Sequence, residues 1–132
     1  MENSNHRLED FFVEETSKTP KVDFRKEGKM RIEGASLIDN SIKFYKPLLD
    51  WVKKYHENPA ILTEFDVKLK HFNISSSKYI LDMLKEIESI YKNKNGVIIN
   101  WYYNMDDEDM LDAGEDFELI IRAPFNFIEV VN

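Results

Sequence analysis

The sequence contains no cysteine. That absence excludes disulfides, thiolate zinc sites, iron–sulfur clusters and thiol nucleophiles together. Apolar runs are short: none exceeds three residues, Phe11 to Val13 and Val97 to Ile99 being among the longest. A membrane span takes about 20 consecutive apolar residues and the core of a signal peptide about 7 to 15, so neither is expected. Glycine is scarce, and Gly28, Gly34, Gly96 and Gly114 form neither a G-x-G-x-x-G loop nor a P-loop. No G-x-S-x-G elbow occurs. The histidines, His6, His56 and His71, lack HxH or HxxxH spacing, so a zinc site is not expected. Basic blocks are missing too. Lys68, Lys70 and Lys78 are spread among apolar and polar neighbours, and nucleic acid is not an expected partner.

What is present is enough for one folded domain. The 132 residues are 42% apolar and 13% aromatic, a composition that supports a core and argues against disorder. The formal net charge is −7, and its distribution is uneven. Residues 104–118 hold eight of the 25 acids and none of the 18 bases. The expectation is a single acidic, cytoplasmic domain over residues 11–132, preceded by a flexible segment at 1–10.

Periodicity suggests the elements. Phe11, Val13, Val22 and Phe24 mark short strands on either side of Thr19-Pro20, and Glu27-Gly28 reads as a turn before an alternating stretch through Met30 and Ile32. Asp39, Asn40 and Ser41 are capping residues ahead of a helix carrying Ile42, Tyr45, Leu49 and Val52, which must kink or restart at Pro47. Phe65, Val67 and Leu69 alternate as the inward face of a strand. A second helix follows, with Ile80, Leu84, Ile87 and Tyr91 as its apolar stripe, Met83 and Ile90 widening it, and Gly96 as its C-cap. Val97–Tyr103 reads as a central strand buried on both faces. Asp107–Phe117 reads as a third helix and Phe125–Val131 as a final strand. This order predicts a mixed α/β sheet: an antiparallel N-terminal hairpin, then parallel β-α-β units with helices mainly on one face.

Two stretches carry candidate chemistry. The acidic run beginning at Asp106 and Asp107 offers carboxylate oxygens of the kind that hold Mg²⁺ or Ca²⁺, but it lacks the glycine-centred spacing of an EF-hand loop. It is read as a solvated helix start or a recognition surface, with no metal and no cofactor expected. The second stretch is Ser75-Ser76-Ser77, placed where a strand gives way to the second helix. One reading is ordinary N-capping; the other is a phosphorylation switch, because a helix start accommodates a phosphoryl group.

Several separate motifs, in order, resemble one family. Lys68-Leu-Lys-His-Phe-Asn-Ile-Ser-Ser-Ser-Lys78, Ile80-Leu81-Asp82 and Trp101-Tyr-Tyr are similar to the SiaC family of bacterial regulatory phosphoproteins. Thr19-Pro20, Phe44-Tyr45-Lys-Pro47 with Trp51, Asp106 to Phe117, and Pro124-Phe125 extend the likeness over about residues 11 to 131. The resemblance implies a STAS-like α/β fold and a switch rather than an enzyme. It implies a protein kinase and a PP2C-type phosphatase as partners, and a diguanylate cyclase bound and activated by the unphosphorylated form. The family's phosphoacceptor, a threonine directly after the junction asparagine, corresponds here to Ile74, which has no hydroxyl. Ser75, then Ser76, is the candidate acceptor in its place. Asn73, Ser77, Lys78, Asp106 and Asp107 are the candidate partner-binding residues. The alternatives are a small metal-dependent enzyme using the 106–118 carboxylates and an interaction domain without a switch.

Overall fold

The computed structural model describes residues 8–131. Nine elements follow one another: β1 (Phe11–Val13), β2 (Lys21–Phe24), β3 (Lys29–Ser36), α1 (Ser41–His56), β4 (Leu62–Phe72), α2 (Ile74–Lys92), β5 (Gly96–Asn104), α3 (Glu108–Ile120) and β6 (Phe125–Val130). The strands form one six-stranded sheet whose spatial order equals the chain order. The first three pair antiparallel, and β3 to β6 pair parallel through the three helical crossovers. This is the expected mixed α/β architecture. The flexible segment expected at 1–10 lies mostly outside the described residues. Within the described part, the Glu9 carbonyl accepts from the Trp51 indole at 2.7 Å and Asp10 accepts from the Lys26 amide at 2.8 Å.

Period-two alternation places Thr63, Phe65, Val67 and Leu69 of β4, with Val97, Ile99 and Trp101 of β5, on one buried face. All three helices cover that face. Tyr55 of α1 bonds Thr63 at 2.7 Å, Ser76 of α2 bonds Ser36 at 2.7 Å, and Phe117 of α3 meets the Trp101 ring edge-on. The opposite face carries polar rows in register. Lys21, Glu33 and Lys68 alternate in sign across one row; Asp23, Arg31 and Asp66 do so across the next. Asn100 continues the second row by donating to Asp66 at 2.8 Å, and Asn126 donates to Asn100 at 3.2 Å. Burial opposes the charge of Arg31, yet the neighbouring Asp66, Tyr102 and Glu33 leave its pKa above the ordinary value.

Six expectations are corrected. β5 is fully buried on the helix side only; on the face with the polar rows Asn100 is buried but Ile98 and Tyr102 are half-buried. Its apolar run misleads because Trp101 and Tyr102 lie on opposite faces. α1 does not restart at Pro47 but runs on as one helix. The ring removes the bond to the Lys43 carbonyl, but Lys43 and Pro47 are both exposed, so the break falls on the solvent side of the helix. The side chain of Asn40 makes no capping bond, and the α1 stripe runs through Tyr45, Leu48, Trp51, Val52 and Tyr55, with Ile42 outside it. Tyr91 lies outside the α2 stripe, where Ile90 takes the core position. Gly96 opens β5, and the left-handed residue after α2 is Lys94, at φ 75°. Glycine is required elsewhere: Gly28 has φ 111°, and a Cβ there would strike the Leu62 carbonyl.

Candidate functional site at the junction of β4 and α2

β4 ends at Phe72, and Asn73 turns the chain into α2. Asn73 is the N-cap: its Oδ1 accepts from the Ser76 amide at 2.9 Å, while its Nδ2 donates to the Ile38 carbonyl at 3.2 Å. The side chain therefore closes the helix start and ties it to the segment between β3 and α1. Ile74, the first helical residue, is 91% exposed. An isoleucine so exposed is no core residue, and it stands where a side chain meets the solvent directly.

The next three serines diverge. Ser75 is exposed, and its hydroxyl donates to Ser41 Oγ at 2.7 Å. Ser76 is fully buried. Its Oγ accepts from Ser36 Oγ at 2.7 Å and donates to the Ser36 carbonyl at 3.2 Å. Ser36 Oγ also lies 2.6 Å from the Tyr45 hydroxyl. Burial pushes the Tyr45 phenol up to about 12, against the opposing hydrogen bonds of Ser36 and Ser76. Tyr45 stacks on Tyr79 with ring centres 5.9 Å apart, and the Lys78 ammonium lies 5.4 Å from the Tyr79 ring centre.

Beside this helix start is a groove of about 360 Å³ between α2 and α3. Leu37, Phe72, Ile74, Met110 and Ala113 supply apolar lining, and Lys70, His71, Asn73, Ser77, Asp107 and Asp109 supply polar lining. Asp107 caps α3 by accepting from the Met110 amide at 3.1 Å. The structure thus brings Asn73, Ile74, Ser77 and Asp107 together in one groove. Asp106 and Lys78 do not line it, Ser75 points to α1, and Ser76 points into the core. Among the described residues, no three Asp, Glu or His side chains gather as a metal ion needs.

Sequence reasoning missed Ser36 at this site, placed Asp109 only within the acidic segment, and noticed Ser41 only as a cap. The available signal for Ser36 was a polar residue on the inward parity at the end of an apolar strand. Ser41 was legible only once Ser75 was placed against it.

Residues 13–130 match the description "SiaC family regulatory phosphoprotein". The chain belongs to that family. A relative of the chain is an uncharacterized protein of Pseudomonas aeruginosa strain UCBPP-PA14, 26% identical over 120 residues, covering 89% of this chain and 94% of the relative. Apo-SiaC of P. aeruginosa has a similar structure, with TM-score 0.81 and 23% identity over 90% of this chain and 98% of that one. The structure of the diguanylate cyclase SiaD of P. aeruginosa in complex with its activator SiaC supplies another likeness. Its TM-score is 0.86 at 24% identity, over 92% of this chain and all of the matched one. These likenesses establish that the sheet order and helix placement are those of SiaC folds.

Proposed function

We propose that the chain is a phosphorylation-controlled binding regulator. In this reading the unphosphorylated form docks on a diguanylate cyclase and activates it, and phosphate at the β4–α2 junction ends the docking. A protein kinase adds the phosphate and a PP2C-type phosphatase removes it, and the chain acts by binding, without chemistry of its own. The observation that carries the reading is the match to a family of regulatory phosphoproteins over residues 13–130. Supporting it, the junction offers an exposed serine, Ser75, beside a groove with apolar walls and an acidic lip. Added charge there alters the surface a partner meets while the N-cap bonds of Asn73 hold α2 in place.

One observation favours a second reading. The family's acceptor position holds Ile74, an apolar side chain in full solvent, which suits a permanently competent docking residue without a switch. Cyclic di-GMP formation by a diguanylate cyclase from the same cells, measured with and without the purified chain, separates the two. The first reading expects activation by the purified chain, loss after treatment with kinase and ATP, and recovery after phosphatase. Activation unchanged by phosphorylation establishes the second reading, and a cyclase indifferent to the chain overturns both.

A further inference from the structure

The serines at the start of α2 offer a kinase three different targets. Ser76 is sealed beside Tyr45, where a phosphoryl dianion would have no water around it, at a prohibitive desolvation cost. Ser77 is half-buried in the groove. Ser75 is open to solvent, and its hydroxyl is bonded sideways to Ser41, the first residue of α1.

Ser41 is itself only 2% exposed and passes the bond on, its hydroxyl donating to the Ile38 carbonyl at 3.1 Å. Asn73 Nδ2 donates to that same carbonyl. The Ile38 carbonyl therefore collects one donor from the start of each helix. At α1 the tie matters more, because Asn40 adds no side-chain cap and Pro47 contributes no amide. Before the gap at Pro47, the first turn rests on few ladder bonds, among them those of the Tyr45 and Lys46 amides to the Ser41 and Ile42 carbonyls.

Building on the proposed phosphorylation control, we infer that Ser75 is the phosphoacceptor of this chain and that Ser41 reads its state, relaying it from α2 to the first turn of α1. In the transfer, Ser75 Oγ attacks the γ-phosphorus of a nucleoside triphosphate held by the kinase. The new O–P bond forms as the bond to the nucleoside diphosphate breaks, and the hydroxyl proton passes to a base of the kinase. The product has lost the proton that Ser75 gave to Ser41. It presents acceptor oxygens carrying a charge of about −1.5 to −2. The bond between the two serines then reverses: Ser41 donates and the phosphate accepts. A hydrogen bond to an ionised acceptor is roughly twice as strong as a neutral one, so the Ser41 hydroxyl leaves the Ile38 carbonyl. Asn73 keeps its own bond, and α2 stays capped. The signal reaches a surface carrying the exposed Ile42 and Lys43, neither of which lines the groove.

The test uses the full chain carrying genetically encoded phosphoserine at position 75, compared with the unmodified chain by backbone amide hydrogen exchange. The Tyr45 and Lys46 amides are expected to exchange about tenfold faster on modification, with the core of α2 unchanged. In Ser41→Ala the same modification leaves both amides within about twofold. Should that variant not fold, Ser41→Cys, which keeps the volume and weakens the donor, takes its place. Unchanged exchange in the otherwise wild-type chain, or an equal change without the Ser41 hydroxyl, overturns the relay. Mass spectrometry of the chain purified from its own cells tests the acceptor: phosphate on Ser75 supports it, and phosphate only on Ser77 or elsewhere overturns it. Loss of cyclase activation without any response at α1 removes the relay and leaves the proposed function standing. A cyclase that ignores the chain removes that function, while the exchange measurement on the chain alone still decides the relay.

Discussion

The Trp101 ring lies against the bare backbone of Gly114, and its indole N–H donates to the Met110 carbonyl at 2.9 Å. A Cβ on Gly114 would stand 2.5 Å from two atoms of that ring and 2.9 Å from the Phe127 ring. Two opposed effects follow for Gly114→Ala. Alanine gains about 1 kcal/mol of helix propensity over glycine, while overpacking costs about 1 to 3 kcal/mol. Trp101 is held by its hydrogen bond and by Phe117, so the clash wins. The variant should show a lower urea midpoint with an unchanged slope. A midpoint equal to wild type would refute the close approach.

Tyr45 predicts a pH dependence at the alkaline end. Its folded pKa, raised to about 12, lies above the ordinary phenol value near 10, so folding favours the protonated form. This contribution is whole below about pH 10 and is lost as pH climbs through about 12. The displacement corresponds to roughly 2 to 3 kcal/mol. Tyr45→Phe removes the titrating group, so wild type should lose stability more steeply than the variant between pH 10 and 12 in denaturant titrations. Parallel pH profiles would sink the argument.

Ser75→Asp should fold as wild type, because the Asn73 cap and the buried Ser76 network do not depend on the Ser75 hydroxyl. It should bind the partner cyclase roughly tenfold more weakly, a loss near 1.4 kcal/mol. Ser75→Ala should bind like wild type and resist inactivation by the kinase. Calorimetric affinities for the three proteins decide this; equal binding by Ser75→Asp removes charge at position 75 as the control.

The acidic segment is expected to recruit a partner by charge. Asp107→Asn keeps an acceptor for the Met110 amide, so combining it with Asp106→Asn and Asp109→Asn should leave the melting temperature nearly unchanged. Mg²⁺, Ca²⁺ or a chelator should move wild type and the triple variant alike. A metal-dependent rise in melting temperature confined to wild type would turn the segment into an ion site. The association rate with the partner should fall in the triple variant and lose part of its salt dependence.

Much of the fold was legible because single elements carry clean periods. Phe65, Val67 and Leu69 alternate without exception, and the helical spacing of Ile80, Met83, Leu84 and Ile87 leaves one choice of face. The errors arose where the tertiary environment overrules the local signal. Periodicity admitted both Ile90 and Tyr91 to the stripe, and nothing local tells that only Ile90 is buried, or that Pro47 falls on the solvent side of α1. The groove was partly legible, since Asn73, Ile74, Ser77 and Asp107 all line it. The tie between Ser75 and Ser41 spans 34 positions and depends on two helix starts meeting, a relationship that no window of sequence contains.

The identity of spatial and chain order in the sheet bears on how the molecule is made. Each strand after the first docks on an edge already present, and no late strand has to wedge between two earlier ones. A chain emerging from the ribosome can therefore build the antiparallel meander, then α1 with β4, then α2 with β5, adding the acidic α3 and β6 last. Until that final unit arrives, the Trp101 indole has no Met110 carbonyl to bond and no Phe117 ring against it. Its fluorescence thus reports the docking of α3 and β6 on the sheet.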